Sequence, residues 1–241
     1  MTTRRTVPVV LAVAVMMTVL AARMGRRTGA TPAEARVPRP GDTLLPRADL
    51  PYDRARTLAA PPAEVWPWIA QLGQERAGFY SFQALENLAG CRITGADRVH
   101  PEWQHVEPGD RFRLHPDVAL RVAAVEPGAH LVVTSRGGDA PGRTDTAMTW
   151  LFHLAPVALP DGTTGTRLHL RERYESGGLV ERAAVRLTGV VSAVMTWRML
   201  GRLAVLVTGA PAHPSGWSGP GVPLGSRPPA RCLAGWSAQR R

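Results

Sequence analysis

The stretch Thr166–Glu175, TRLHLRERYE, carries the first residues that could do chemistry. Side chains of a strand alternate between two faces, so Leu168, Leu170, Glu172 and Tyr174 share one face and Arg167, His169, Arg171 and Arg173 the other. A carboxylate on an apolar face must be paired or must hold its proton more tightly than usual, and either state makes Glu172 a site candidate. Two roles are open to it. With Tyr174 it could pass protons in acid–base catalysis, or it could be the structural counter-charge of a buried arginine. An unpaired Glu172 beside an open cavity would favour an enzyme; a Glu172 locked to arginine would favour a binding protein. Glu86, in SFQALENLA, lies one helical turn beyond Phe82 at the edge of an apolar face with Leu85 and Ala89. It faces a pocket mouth or is a solvated, helix-pinning residue. Glu172, Tyr174 and Glu86 are the catalytic candidates.

Other clusters carry less. His100, Glu102 and His105 in VHPEWQH are metal-ligand types, but Pro101 breaks the helical spacing that an HExxH-like site needs, so no metal is expected. Asp97 and Arg98 read as an ion pair bracing a turn. No GxSxG occurs, and His153 and His169 fall opposite the apolar face, which leaves serine-hydrolase chemistry without support. Cys91 reads as a packed thiol, and Cys232 is the only other cysteine, so neither a disulfide framework nor a cysteine zinc site is available. No phosphate-cradling glycine loop or dinucleotide fingerprint follows a strand; no cofactor is expected.

The elements that must position these residues follow from periodicity. Arg54–Ala60 reads as a strand. In AAPPAEVWPWIAQLGQ, Val65, Trp68, Ile69 and Leu72 recur at helical spacing, with Pro62 suited to the first turn and Gly73 to the stop. Pro67 removes an interior hydrogen bond, so this helix should bend; Trp66 and Trp68 then face different surroundings, and Trp68 goes to the core. Ser81–Ala89 reads as a second short helix, capped by Ser81 and ended by Gly90. Afterwards RFRLHP, ALRVAAVEPG, HLVVTSR, TAMTWLFHLAP and TRLHLRERYE alternate with period two between turn signals, a meander of antiparallel strands. Met148, Trp150, Phe152 and Leu154 share the face assigned to the cavity. One helix closes the run, from Leu179 to about Val207, with an expected apolar stripe of Ala183, Leu187, Val190, Val191, Val194 and Met195 among Arg182, Arg186, Arg198 and Arg202.

The ends differ in kind. Thr6–Ala22 is uncharged and apolar between Arg4-Arg5 and Arg23, a length between the about 20 residues of a span and the about 7 to 15 of a secretory core. Arginines directly behind it favour an uncleaved single-pass anchor over a signal cleaved near Val19-Leu20-Ala21. Arg36 and Arg39 tilt the orientation toward a cytoplasmic domain; cleavage or the opposite insertion would place it outside. The organisation is then an anchor with basic flanks over 1–27, a Pro/Arg-rich tether over 28–50, a domain over 51–208, and a Gly/Pro-rich disordered tail over 209–241. The net charge is +10 in 241 residues, carried by 29 arginines and no lysine, a usage that fits a GC-rich genome. These arginines form no long run and no aromatic-interleaved strip, so an anionic membrane is the better partner and nucleic acid is not expected.

The order of elements, and the stretches GDTLLPRADL, APPAEVWPWIAQLGQ, AGFYSFQALENLAGC, ADRVHPEWQ and RERY, resemble the START-type superfamily called SRPBCC, in particular its bacterial polyketide cyclase/dehydrase-like members. The resemblance runs from about Gly41 to Leu203. It implies an α+β helix-grip fold, a curved antiparallel sheet wrapped around a long C-terminal helix, with two short helices after the first strand. It also implies a hydrophobic pocket between sheet and helix, but no single reaction. Placed on that fold, the expected cavity residues are Trp68, Phe82, Met148, Trp150, Phe152, Leu168, Leu170, Glu172, Tyr174, Leu187 and Val191. The expected function is membrane-tethered binding of a small hydrophobic or lipid-like ligand. The alternative is a cyclase- or aromatase-like enzyme using the carboxylate and tyrosine for proton transfer.

Overall fold

The computed structural model describes residues 27–137 and 146–209. The expected anchor over Thr6–Ala22 and nearly all of the tail lie outside them. The chain is α+β. In order it forms β1 (Arg27–Thr28), α1 (Pro32–Arg36), β2 (Leu50–Leu58), α2 (Pro62–Ala70), α3 (Gln83–Leu88), β3 (Arg111–His115), β4 (Val118–Glu126), β5 (His130–Thr134), β6 (Ala147–Ala158), β7 (Thr164–Glu175) and α4 (Leu179–Leu206). The seven strands make one sheet in the order β1-β2-β7-β6-β5-β4-β3, antiparallel except for β1 against β2. Breaks in register lie between Arg113 and His115 on β3 and between Val122 and Ala124 on β4.

Directly opposed residues share a face. Tyr52, Glu172, Trp150 and Val133 form one row across the inner face, and Arg54, Leu170, Phe152 and Leu131 the next. On this face Trp150 packs on Phe152 with ring centroids 4.5 Å apart and on Phe79 and Phe112 at 6.2 Å. Leu168, Leu170 and Trp68 belong to the same buried cluster. Helix α2 runs through Pro67, which withholds the donor that the Ala63 carbonyl would meet inside the helix, and stops at Ala70, short of Gly73. Trp68 is buried and Trp66 half-buried against the same core.

The outer face is not open to solvent. Residues 28–50, expected as a tether, lie over it and are held there by the arginines of β7. Arg167 binds Glu34 through Nε at 2.7 Å, and that charged contact holds the Glu34 carboxyl at a pKa of about 2. Arg171 meets Asp53 and Asp42 at 2.7 Å and donates to the carbonyl of Ala35. Arg173 pairs with Asp42. Gly41, at φ +85, lies so close over Val132 that a Cβ would stand 2.6 Å from a Val132 methyl. Among the described residues, those before residue 51 therefore pack on the sheet as well. A two-residue edge strand also precedes the one expected to come first.

Helix α4 is where the expected face proves inverted. Its buried residues are Val185, Gly189, Thr196, Met199, Leu200 and Leu203. Leu187 is 70% exposed and Val191 58%, with Val190, Val194 and Trp197 also outward. The reason is on the sheet. Tyr52 needs a helix position without a side chain, because a Cβ on Gly189 would collide with its ring, and Arg54 donates to the Gly189 carbonyl at 3.2 Å. The side carrying Val185 and Gly189 thus seats on β2, and the branched stripe faces away. By length and composition α4 meets the requirements of a membrane span, with a mean hydropathy of 1.3, but this seat ties it to the sheet.

Candidate functional site

Two constellations gather the candidate residues. The first lies under the N-terminal half of α4. Arg54 Nη1 donates to Glu172 Oε1 at 2.6 Å, with the two side chains 0% and 3% exposed. Ser192 on α4 donates to the same oxygen at 2.5 Å, and Tyr174 donates to Oε2 at 3.1 Å. Burial and the adjoining Glu172 charge raise the Tyr174 phenol well above its ordinary range. Each carboxylate oxygen is thus satisfied, and the cation is adjacent. Removing either charge of this pair would strand the other in the interior. Glu172 and Tyr174 thus form, with Arg54 and Ser192, a clamp that fixes α4 to β2 and β7.

The second constellation is a pocket of about 520 Å³ between α3, the loop over residues 93–97 and the C-terminal half of α4. The loop is pinned by α3. Asn87 exchanges two hydrogen bonds with the Ile93 backbone, at 2.8 and 2.9 Å, and Gln83 Nε2 donates to the Ile93 carbonyl at 2.8 Å. Tyr80 enters the wall at φ +55, the only non-glycine among the described residues with positive φ. It is held there by its hydroxyl, which donates to the Trp68 carbonyl and accepts from Gln71 Nε2 at 2.7 Å. Such strain persists only where the surroundings over-determine it, and it clusters at functional sites.

Glu86 lines this pocket and is buried, with Ser81 donating to its carboxylate. Desolvation raises its pKa, and the Ser81 bond opposes that rise. Ser81 is therefore committed to Glu86 and does not cap α3, whose N-cap is Phe82. Phe82, also in the wall, lies beneath Arg198, whose Cζ is 5.7 Å from the ring centroid. Arg202, one turn further along α4, completes that side.

The structure brings Phe82 and Glu86 together at the pocket, and Glu172 with Tyr174 at the clamp. Trp68, Trp150, Phe152, Leu168 and Leu170 fill the core instead of lining the pocket, and Met148 is half-buried between two core clusters. Leu187 and Val191, expected in the cavity, face outward. Arg198 and Arg202 were missed as site residues, because on a helical wheel they flank the apolar stripe as solvated charges do. The signal for them was their i, i+4 spacing beside Met199 and Leu203, which is the buried side.

The lesser clusters resolve locally. Asp97 and Arg98 form no ion pair among the described residues. His100 stacks on Trp103 at 4.2 Å and pairs with Glu102, while His105 pairs with Glu107. Cys91 is half-buried, and burial together with the Glu86 charge raises its thiol pKa. His153 and His169 stand side by side under the outer strap, His153 accepting from Arg39 and His169 donating to Asp53.

No protein-family model matches the chain, and no curated protein matches it. Several solved structures do align. Protein CV1439 from Chromobacterium violaceum is 15% identical over 65% of this chain and 96% of its own, with a TM-score of 0.38. Protein MLL2253 from Mesorhizobium loti is 20% identical over 66% and 96%, at 0.35. CalU16 from Micromonospora echinospora is 15% identical over 66% and 88%, at 0.30. At these values they assign the chain no activity or ligand.

Proposed function

We propose that this chain is a membrane-tethered binding protein for a small hydrophobic or lipid-like ligand, of START-type helix-grip architecture, with its domain on the cytoplasmic side. The observation that carries the reading is the pairing of a closed clamp with an open pocket. Glu172 is consumed by Arg54, Ser192 and Tyr174, while the α3–α4 pocket offers Phe82, Leu85 and Ile93 as apolar wall. Polar and charged groups, among them Ser81, Gln83, Glu86, Asp97, Arg198 and Arg202, share that concavity, and concave sites are where small molecules bind. The membrane part of the reading rests on Thr6–Ala22, which ends five residues before Arg27 enters the sheet beside β2. The outward face of α4, with Leu187, Val191, Val194 and Trp197 beside the exposed Arg186, suits the interface of an anionic bilayer.

Purifying the full chain from membranes and identifying its retained small molecules by native mass spectrometry tests the reading. A stoichiometric apolar adduct supports it; a chain that carries none and takes up none of a lipid extract removes it.

One observation favours a second reading, a cyclase- or aromatase-like enzyme. Glu86 is a buried carboxyl of raised pKa in an open pocket, the condition in which an acid–base group is poised. Conversion of the retained ligand by wild type but not by Glu86→Gln, with equal retention by both, would establish that reading.

A further inference from the structure

Arg198 and Arg202 differ from the other arginines at comparable depth. Arg54, Arg113, Arg167, Arg171, Arg173 and Arg182 each meet a carboxylate, and Arg39, Arg76 and Arg121 each donate to a ring nitrogen or to backbone carbonyls. Arg198 and Arg202 are also half-buried, yet neither makes an ion pair or a hydrogen bond among the described residues, and the Nε of Arg198 is buried without a partner. The pocket's own carboxylates do not serve them. Glu86 accepts from Ser81 and lies in ion-pair range of neither arginine, and Asp97 on the facing loop is exposed and unpaired.

Half-burying a guanidinium removes hydration that only another charged or polar group restores. Two of them one helical turn apart, with Cβ atoms about 6 Å from each other, present two donor forks to one point. A carboxylate or a phosphate fits such forks; a neutral hydroxyl does not. Beside them the wall is apolar: Phe82 beneath Arg198, Ile93 buried behind, and Leu85, 52% exposed, at the rim.

We propose that this pocket takes an anionic amphiphile, an oxyanion carried on an aliphatic chain, with the oxyanion bridging Arg198 and Arg202 and the chain lying on Phe82, Leu85 and Ile93. The assignment rests on the binding function proposed above and narrows it by charge and by place.

The full chain in nanodiscs of neutral lipid is titrated by calorimetry with octanoate, octyl phosphate, octanol and inorganic phosphate, against empty nanodiscs. Octanoate and octyl phosphate are expected to bind at least about tenfold more tightly than octanol, as charge-assisted hydrogen bonds require. That preference should disappear in Arg198→Gln and Arg202→Gln. Leu85→Asp, on an exposed position of α3, should weaken both anions while leaving the arginines and the fold in place. Octanol binding as tightly as octanoate overturns the proposal and leaves the broader binding reading intact. Inorganic phosphate binding as tightly as octyl phosphate overturns the amphiphile in favour of a free oxyanion. Failure of all three octyl compounds to bind overturns the proposal and the broader reading together.

Discussion

The Arg54 guanidinium and the Glu172 carboxylate meet at 2.6 Å on adjacent strands beneath α4, both withdrawn from solvent. The pair is supported from the helix, since Arg54 also donates to the Gly189 carbonyl and Ser192 to Glu172. Removing one charge leaves the other buried without compensation. Glu172→Gln is therefore expected to lower stability by about 3–5 kcal/mol, read from the denaturation midpoint at neutral pH. Unchanged stability would mean that the pair is not the clamp of α4.

Gly189→Ala separates two opposed effects by their sign. On a solvated helix the change would stabilise by about 1 kcal/mol through propensity. Here the added Cβ runs into the Tyr52 ring, so a loss of about 1–3 kcal/mol is expected. Stabilisation would show that α4 does not sit on β2 as described.

The strands from β2 to β7 were legible from alternation between turn signals, and the bounds of α4 and the pairing of β6 with β7 because their patterns persist over about ten residues or more. The buried side of α4 was not. Hydrophobicity pointed to Leu187 and Val191, whereas the seat over β2 and β7 is made by Val185, Gly189 and Ser192, which meet Tyr52, Arg54 and Glu172 far away in the chain. The outer strap was illegible for the same reason. Its Pro/Arg-rich composition resembles a linker, and its partners, among them Arg167, Arg171 and Arg173, lie more than 120 residues later. Glu86 was legible as a pocket candidate from its position after Phe82, but not the arginines that face the same space.

His153 gives the outer strap a pH signature. Burial, with Arg39, His169, His130 and Arg171 nearby, lowers its pKa from 6.5 to about 4. A base that resists protonation in the folded chain but not in the unfolded one contributes stability above about 6.5, and that contribution is lost as pH falls through 4. His153→Gln is expected to flatten the fall in thermal midpoint between those values, leaving the loss at lower pH that follows from Glu34 at about 2. Superimposable pH profiles of the two proteins would place His153 in solvent.

Membrane attachment is expected to depend on the segment before the sheet. The full chain should sediment with membranes through a carbonate wash, whereas a chain beginning at Arg27, which retains the whole strap, should not. Recovery of only a shortened, secreted protein would identify Thr6–Ala22 as a cleaved signal.

The most direct test of the central claim is calorimetric binding of octyl phosphate by the full chain and by Ala84→Trp, which places an indole in the α3–α4 pocket from an exposed helix position. Saturable binding at one site in the native chain, reduced at least about tenfold by the substitution with the thermal midpoint preserved, is the expected result. Binding of equal affinity in both proteins, or in neither, would contradict the assignment of this pocket as the ligand site.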